Sequence, residues 1–483
     1  MKRALGRRSF LSFVAVSSAG LLAACGGGAA PAAPTSAPAS SGGGAQPAAS
    51  AATAPAAAAA STPAAAAPAK ASSGQALQYW SFFPTDNTRW AERPVIFGEF
   101  TQKTGVAIEV NFVQDAQFDT KVQTGFAAKQ LPDLADPPFV QLCNGWGRQG
   151  IVIDLSDVLG KLGKDDFAKP LITALTYKGK LYGLPWMTNP QLLFYRKDWL
   201  GDKGLKLNSW DDWLTAAKTF TGKNPAGKDG YGQGGFMAPV HQTQWIQDFL
   251  GPNGGYTFDE KWNVVLDTHK PNQEAADFMK KLGAYLQPGA ATATYGDTNN
   301  LFNDQVLAMA LSSTTFVNGL IKNKPELVDK VGIQPVPQGP SGKGDRGAFL
   351  GTYGHSIFST SQMQDKAKDF FMFIYDPAVY IRVFKTIDFG HVPVRPSVAN
   401  NPELAKLVPP LALDDIKAGI KAAEIATLTG EDFGPNPLAR QISAQNIWSS
   451  LGQKILTDQP QAALKWAADE IRKIVKDNPG DLG

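Results

Sequence analysis

From Ala76 onward, short apolar runs alternate with stretches whose apolar residues recur at helical spacing, and this alternation predicts an α/β chain with open sheets. Leu77 to Phe82 reads as a first strand. Trp90 to Thr104 reads as a helix with Phe97 and Phe100 inward and Gly105 as its stop, followed by a strand over Val106 to Val110. A β-α-β start of this kind predicts a right-handed crossover and a parallel strand pair. Lys178 to Trp186 predicts a hairpin turn with a return strand, and Gln191 to Arg196 a further strand. Ser209 is placed to cap a helix carrying Trp210, Trp213, Leu214, Ala217 and Phe220. Asp365 to Tyr375 repeats that pattern, and Asp376-Pro377 starts the next helix. From Gln461, Leu464, Ala467, Ile471 and Ile474 share one face, which predicts a docking helix at the C-terminus. The chain shows no internal repeat.

The first 75 residues follow other rules. Arg7-Arg8 precedes an apolar run from Phe10 to Ala24, shorter than the roughly 20 residues that span a bilayer, so residues 1–25 read as a signal peptide. Gly6 to Leu11 resembles the twin-arginine export signal, with Ser12 where Lys often stands, which leaves both export routes open. Leu22-Ala23-Ala24-Cys25 resembles a bacterial lipobox, and that resemblance implies lipidation of Cys25 and a membrane anchor that needs no spanning helix. Residues 26–75 are almost entirely Ala, Pro, Gly, Ser and Thr with a single charge, too polar and too plain to bury a core, and predict a disordered linker. A flexible chain of that length spans roughly 40 Å, enough to hold a globular body away from its anchor.

Charge and cysteine content change this picture only by exclusion. Five of the 46 Lys and Arg residues precede residue 76, so the body carries 41 against 43 acidic side chains, and no nucleic-acid footprint is indicated. Cys143 is the sole cysteine of the body and reads as a small buried hydrophobe. The four histidines, at 241, 269, 355 and 391, never pair at metal-ligand spacing, so no metal or other cofactor is expected. Gly354-His355-Ser356 lacks the second glycine of a nucleophile elbow, since Phe358 stands there, and Gly339 to Gly344 lacks the Ser or Thr of a phosphate loop. No catalytic residue is assigned.

Several motifs occur in an order that resembles one family. They are Trp80-Ser81-Phe82-Phe83, Phe100 with Lys103-Thr104-Gly105-Val106, Leu131-Pro132-Asp133-Leu134, Lys178 to Trp186, Phe194-Tyr195-Arg196-Lys197-Asp198, Ser209-Trp210-Asp211-Asp212, and Phe302 to Met309, with Asp304 where glycine is usual. Together they resemble extracellular solute-binding proteins of family 1, the sugar-binding lipoproteins of ABC importers. The resemblance implies a two-lobed periplasmic-binding-protein-like fold with an interlobe cleft and hinge. Lobe 1 would comprise 76–186 and 347–392, and lobe 2 would comprise 187–346 and 393–483. It also implies a monomer on the outer face of the cell membrane that binds a mono- or oligosaccharide and delivers it to permease subunits, without catalysis.

Carried over position by position, the implied ligand-binding residues are Phe82, Phe83 and Asp86 after the first strand, Asp136 and Phe139 after the Pro-Asp motif, and Trp186 and Asn189 near the crossing between lobes. His241, Trp245, Thr314, Phe316, Tyr353 and Arg395 complete the set. Flat aromatic faces suit the C–H faces of sugar rings, and polar side chains suit their hydroxyls. Each aromatic residue reads equally well as ordinary core. Two other readings use the same chain: a tethered glycoside hydrolase or lyase with Asp86 and Asp136 as its carboxylates, or a sensory binding subunit.

Overall fold

Leu77, Tyr79 and Ser81 face inward on strand β1 (Ala76–Ser81), because alternate side chains of a strand point to opposite faces. The computed structural model describes residues 76–83, 92–114, 117–138, 140–386 and 390–479. The signal segment, Cys25, the linker, Asp86 and Phe139 lie outside these. The helix after β1 runs over Arg93–Thr104, with Pro94 in its first turn, and ends at Gly105, whose left-handed φ of 74° lets its N–H return to the Thr101 carbonyl. It leads to β2 (Ala107–Phe112), which pairs with β1 in parallel as the β-α-β reading requires.

Later strands are β3 (Leu134–Asp136), β4 (Thr176–Tyr177), β5 (Lys180–Leu181), β6 (Leu184–Thr188), β7 (Gln191–Arg196), β8 (Gly222–Lys223), β9 (Asp229–Gly234), β10 (Leu307–Ser313), β11 (Val331–Pro335), β12 (Thr352–Ile357) and β13 (Val392–Pro393). They assemble into a six-stranded sheet in the order β13-β6-β12-β3-β1-β2 and a five-stranded sheet in the order β11-β7-β10-β9-β8, with β4 and β5 as the expected hairpin. Each sheet centres one α/β lobe. β10 is buried along its whole length, and helices cover the second sheet: Trp210–Thr219, capped by Ser209 through the Asp212 N–H, and Lys270–Gly283 and Pro460–Asp477 farther out. The last of these buries Leu464, Ala467, Ile471 and Ile474, the face the sequence marks.

Three chain segments cross between the lobes, and they lie side by side. The Asn189 N–H donates to the Gly351 carbonyl at 2.8 Å, the Gln191 N–H to Phe349 at 3.1 Å, and the Leu350 N–H to Thr427 at 2.8 Å. Thr188 Oγ1 adds a bond to the Gly351 carbonyl. Gly351 is needed here, because a Cβ would lie 1.9 Å from Asn189 Oδ1.

The lobe boundary differs from the expected one at its last crossing. Pro393 pairs with Met187 in the first sheet, and Arg395 is tied to Asp166 at 2.7 Å and to the Tyr375 and Leu162 carbonyls, all in the first lobe. Residues 393–407 thus extend the first lobe, and the helix Pro410–Ala423 rests on β13, β7 and β11, spanning both sheets. The reason is steric as well as ionic: Gly419 lets Val392 approach so closely that a Cβ would meet it at 2.5 Å.

Two substitutions test this packing. Gly232→Ala would put a Cβ 1.9 Å from the Ala217 carbonyl oxygen, where β9 passes the capped helix, and is expected to cost about 3 kcal/mol in urea denaturation. Ser209→Ala, which removes only the cap, is expected to cost about 1 kcal/mol.

Candidate functional site

Where β1 ends, Ser81 turns the chain into Phe82 and Phe83: its hydroxyl accepts from the Phe83 N–H at 3.1 Å and donates to Asp136 Oδ2 at 3.1 Å. Arg93 Nη2 reaches the same hydroxyl at 3.4 Å. This turn sets the Phe82 ring on Tyr353 of β12, stacked at 5.2 Å with 10° between planes. Phe83, His391 and Trp186 support the pair from behind, with Phe83 edge-on to His391 at 6.1 Å and to Trp186 at 6.3 Å. Trp186 is fully buried, 4.6 Å from the ring of His355.

Beneath this aromatic layer runs a buried polar chain. Tyr375 donates to the Leu184 carbonyl at 3.1 Å, so its oxygen is left to accept from His355 Nδ1 at 3.2 Å. His355 Nε2 then accepts from Tyr79 at 3.1 Å. Burial, helped by the charge of Arg93, pushes the His355 pKa down to about 3, which keeps the ring neutral and this proton order intact. Burial also pushes the Asp136 carboxyl up to about 7, against the pull of Arg93 and the hydroxyls of Ser81 and Tyr79.

The second lobe supplies the facing wall. Thr294 caps the helix Tyr295–Asn303 through a reciprocal box with Asp297, which fixes Tyr295 at the helix start. The Tyr295 ring lies 4.0 Å from His241 and 4.4 Å from Phe236. Burial pushes His241 down to about 4, so this contact is between neutral rings. Between the walls lies a cavity of about 120 Å³ lined by Asn189, Gln191, Ser313, Phe349, Thr352 and Tyr353 with Gln141, Gln244 and Tyr295. It shares Gln141, Gln244, Phe349 and Leu428 with an outer cavity of about 250 Å³ bordered by Val240, Thr429 and Arg440.

The two lobes also touch beside the cavity. Gln141 Nε2 donates to Glu431 Oε2 at 2.6 Å, and Arg440 pairs with Asp119 at 2.8 Å. Burial pushes Glu431 up to about 7. Among the described residues, no group of three or more His, Cys, Asp or Glu side chains is placed to hold a metal ion.

The expected site residues therefore separate. Tyr353 and Asn189 line the cavity, Phe82 stacks on Tyr353, Phe83 and Trp186 stand behind it, and His241 reaches the opposite wall through Tyr295. Asp136 is buried under the Phe82 turn. Trp245 packs in the second core against Phe236 and Phe249, and Phe316 packs edge-on to Phe194 and Phe302. Thr314 is spent on the Gly390 carbonyl at 3.1 Å, and Arg395 on the first lobe, so these four stand away from the cavity because their partners are already in the protein. Gln141, Gln191, Gln244, Tyr295 and Phe349 were not anticipated. The available signals were local: Gln191 opens a strand just after Asn189-Pro190, and Tyr295 follows the capping threonine.

Against known proteins, the family described as bacterial extracellular solute-binding protein matches residues 86–381. An arabinooligosaccharide-binding protein of Halalkalibacterium halodurans is 25% identical over 259 residues, 52% of this chain and 55% of that protein. A mannitol-binding protein of Pseudomonas aeruginosa is 24% identical over 230 residues, 47% of this chain and 52% of that protein. The chain thus spans about half the length of these curated relatives. In fold it is similar to the sugar-binding protein of Xanthomonas citri, with a TM-score of 0.69 at 18% identity over 84% of this chain and all of that one. It is likewise similar to a solute-binding protein of Agrobacterium radiobacter in complex with ribitol, with a TM-score of 0.64 at 23% identity over 83% and 99% of the two chains.

The buried carboxyl under the Phe82 turn makes a pH prediction. A folded-state pKa raised from 3.8 to about 7 means that its contribution is fully present below pH 4 and is lost as pH rises through 7. Relative to Asp136→Asn, the wild type is expected to lose about 1.4 kcal/mol per pH unit over that window in urea titrations. A pH-independent difference would mean that Asp136 ionises in the fold as it does in the unfolded chain.

Proposed function

Because the chain belongs to the bacterial extracellular solute-binding protein family, we propose that it is the receptor of an ABC importer, binding a mono- or oligosaccharide between its lobes and passing it to a membrane permease. The observation that carries this reading is the stacked Phe82–Tyr353 pair, which faces an amide-rich and hydroxyl-rich wall across a cleft bridged by three adjacent crossings. An aromatic face takes the C–H side of a sugar ring, and the amides opposite take its hydroxyls. A ligand touching both lobes stabilises their closed arrangement, and bending is confined to the few residues of the crossings. Relatives named for arabinooligosaccharide and mannitol support a hydroxylated ligand.

The hydrolase alternative loses support at Asp136. Its carboxyl is fully buried and committed to Ser81, so it has no path to a glycosidic bond. The Cys25 motif supports lipid anchorage after export, with residues 26–75 as the tether. No described helix is long and apolar enough to cross a membrane.

Isothermal titration against mono- and oligosaccharides tests the reading, with the ligand recovered afterwards. A sugar is expected to bind and return intact, and Phe82→Ala and Tyr353→Ala are each expected to weaken it about tenfold. Cleaved product would favour the enzyme reading. Separately, Cys25→Ser is expected to move the exported protein from the membrane fraction to the soluble one; continued membrane retention would count against the lipid anchor.

A further inference from the structure

Two buried polar atoms at the cavity have no hydrogen-bond partner among the described residues: Oε1 of Gln191 and the hydroxyl of Tyr295. Both side chains are held from other directions. The Gln191 backbone is bonded to Phe349, and the Tyr295 ring is wedged between His241 and Phe236. A buried donor or acceptor left unsatisfied is costly, so the cavity is built for a ligand that supplies both halves of the missing bonds. We propose that Gln191 and Tyr295 are the specificity-determining pair of this cavity, and that they select an uncharged hydroxylated unit, a neutral monosaccharide or polyol or the end unit of a neutral oligosaccharide. The proposal rests on the saccharide-receptor reading and narrows it.

Three features exclude an ionic ligand. First, the described residues lining the inner cavity carry amides, hydroxyls and apolar groups but no charge. A phosphate, carboxylate or ammonium entering it would lose its hydration without meeting a counter-charge. Second, Tyr295 stays protonated: burial raises its pKa well above the ordinary value, and the charges of Asp248 and Tyr353 oppose ionisation further. Third, Asp248 accepts from the Phe349 N–H at 3.2 Å, and burial holds its carboxyl neutral, so it offers no anion for an amine. The charged side chain nearest along the cleft, Arg440, borders the outer cavity and is already paired with Asp119. A hydroxyl both donates and accepts, so one type of group satisfies Gln191 and Tyr295 together.

The test is isothermal titration of the full chain with ligands matched in carbon skeleton: neutral pentoses, hexoses and alditols, and the corresponding sugar phosphates, uronic acids and amino sugars. The neutral member is expected to bind at least about 100-fold tighter than its charged counterparts. Tyr295→Phe and Gln191→Met are each expected to weaken it about 10- to 100-fold without lowering the melting temperature, because each variant deletes an unpaired polar atom. A series of monodeoxy analogues separates recognition from packing. The analogue lacking the hydroxyl that meets Tyr295 is expected to bind the wild type poorly, yet to bind Tyr295→Phe as well as the parent sugar does. Equal or tighter binding of a charged counterpart overturns the proposal and leaves the receptor reading standing. So does a deoxy loss that persists unchanged in Tyr295→Phe. Failure of every saccharide, neutral and charged, to bind a protein folded by circular dichroism refutes the receptor reading itself, and the proposal with it.

Discussion

The backbone hydrogen bonds that join residues 188–191, 347–351 and 427 hold three crossings in one narrow bundle, and the position of every cavity wall follows from them. Asn189 and Gln191 stand on the first crossing, Phe349 on the second and Leu428 on the third, so the floor of the cleft is the hinge itself. Gly351 is where the geometry is tightest, since the first two crossings approach to a distance that leaves no room for a methyl group. A site built this way couples occupancy to lobe position directly. A ligand that pulls on Gln191 pulls on the strand about which the lobes turn.

The first-lobe wall depends on a second device, a polar layer placed under an aromatic one. Ser81, Asp136 and Arg93 fix the turn that presents Phe82, while Tyr79, His355 and Tyr375 pass hydrogen bonds beneath Trp186. All of these groups are buried, and the burial sets their protonation: an acid drifting toward neutrality and a histidine that stays uncharged. The aromatic surface is therefore rigid for reasons that lie one layer below it.

Local periodicity made the elements legible. The first strand, the helix ending at Gly105, the strand from Gln191 to Arg196 and the capped helix at Ser209 all fall where apolar spacing and capping residues place them, because those signals are short-range. The motif order also carried the family, which a match over residues 86–381 bears out. The cavity was legible only in part. Tyr353 and Asn189 lie on it, but Trp245 and Phe316 look the same in sequence and pack in cores, since an aromatic residue at an element end is equally suited to either. Arg395 carries a charge that reads as ligand-binding until its partner Asp166, 229 residues earlier in the chain, comes into view. Gln191 and Tyr295 escaped because nothing in a sequence reports that a polar atom will be buried without a partner.

The first sheet takes β1, β2 and β3 from the beginning of the body but also requires β12 and β13, and its core closes only when the helix Pro410–Ala423 lies across it. During synthesis the early strands must wait for almost the entire chain before they gain their central neighbours. Folding of that lobe is accordingly governed by non-local pairing, with a large loop-closure entropy spent before the contacts that offset it are made. A nascent chain of this design stays extended until it is nearly complete, a condition suited to threading through a narrow export channel before collapse on the far side.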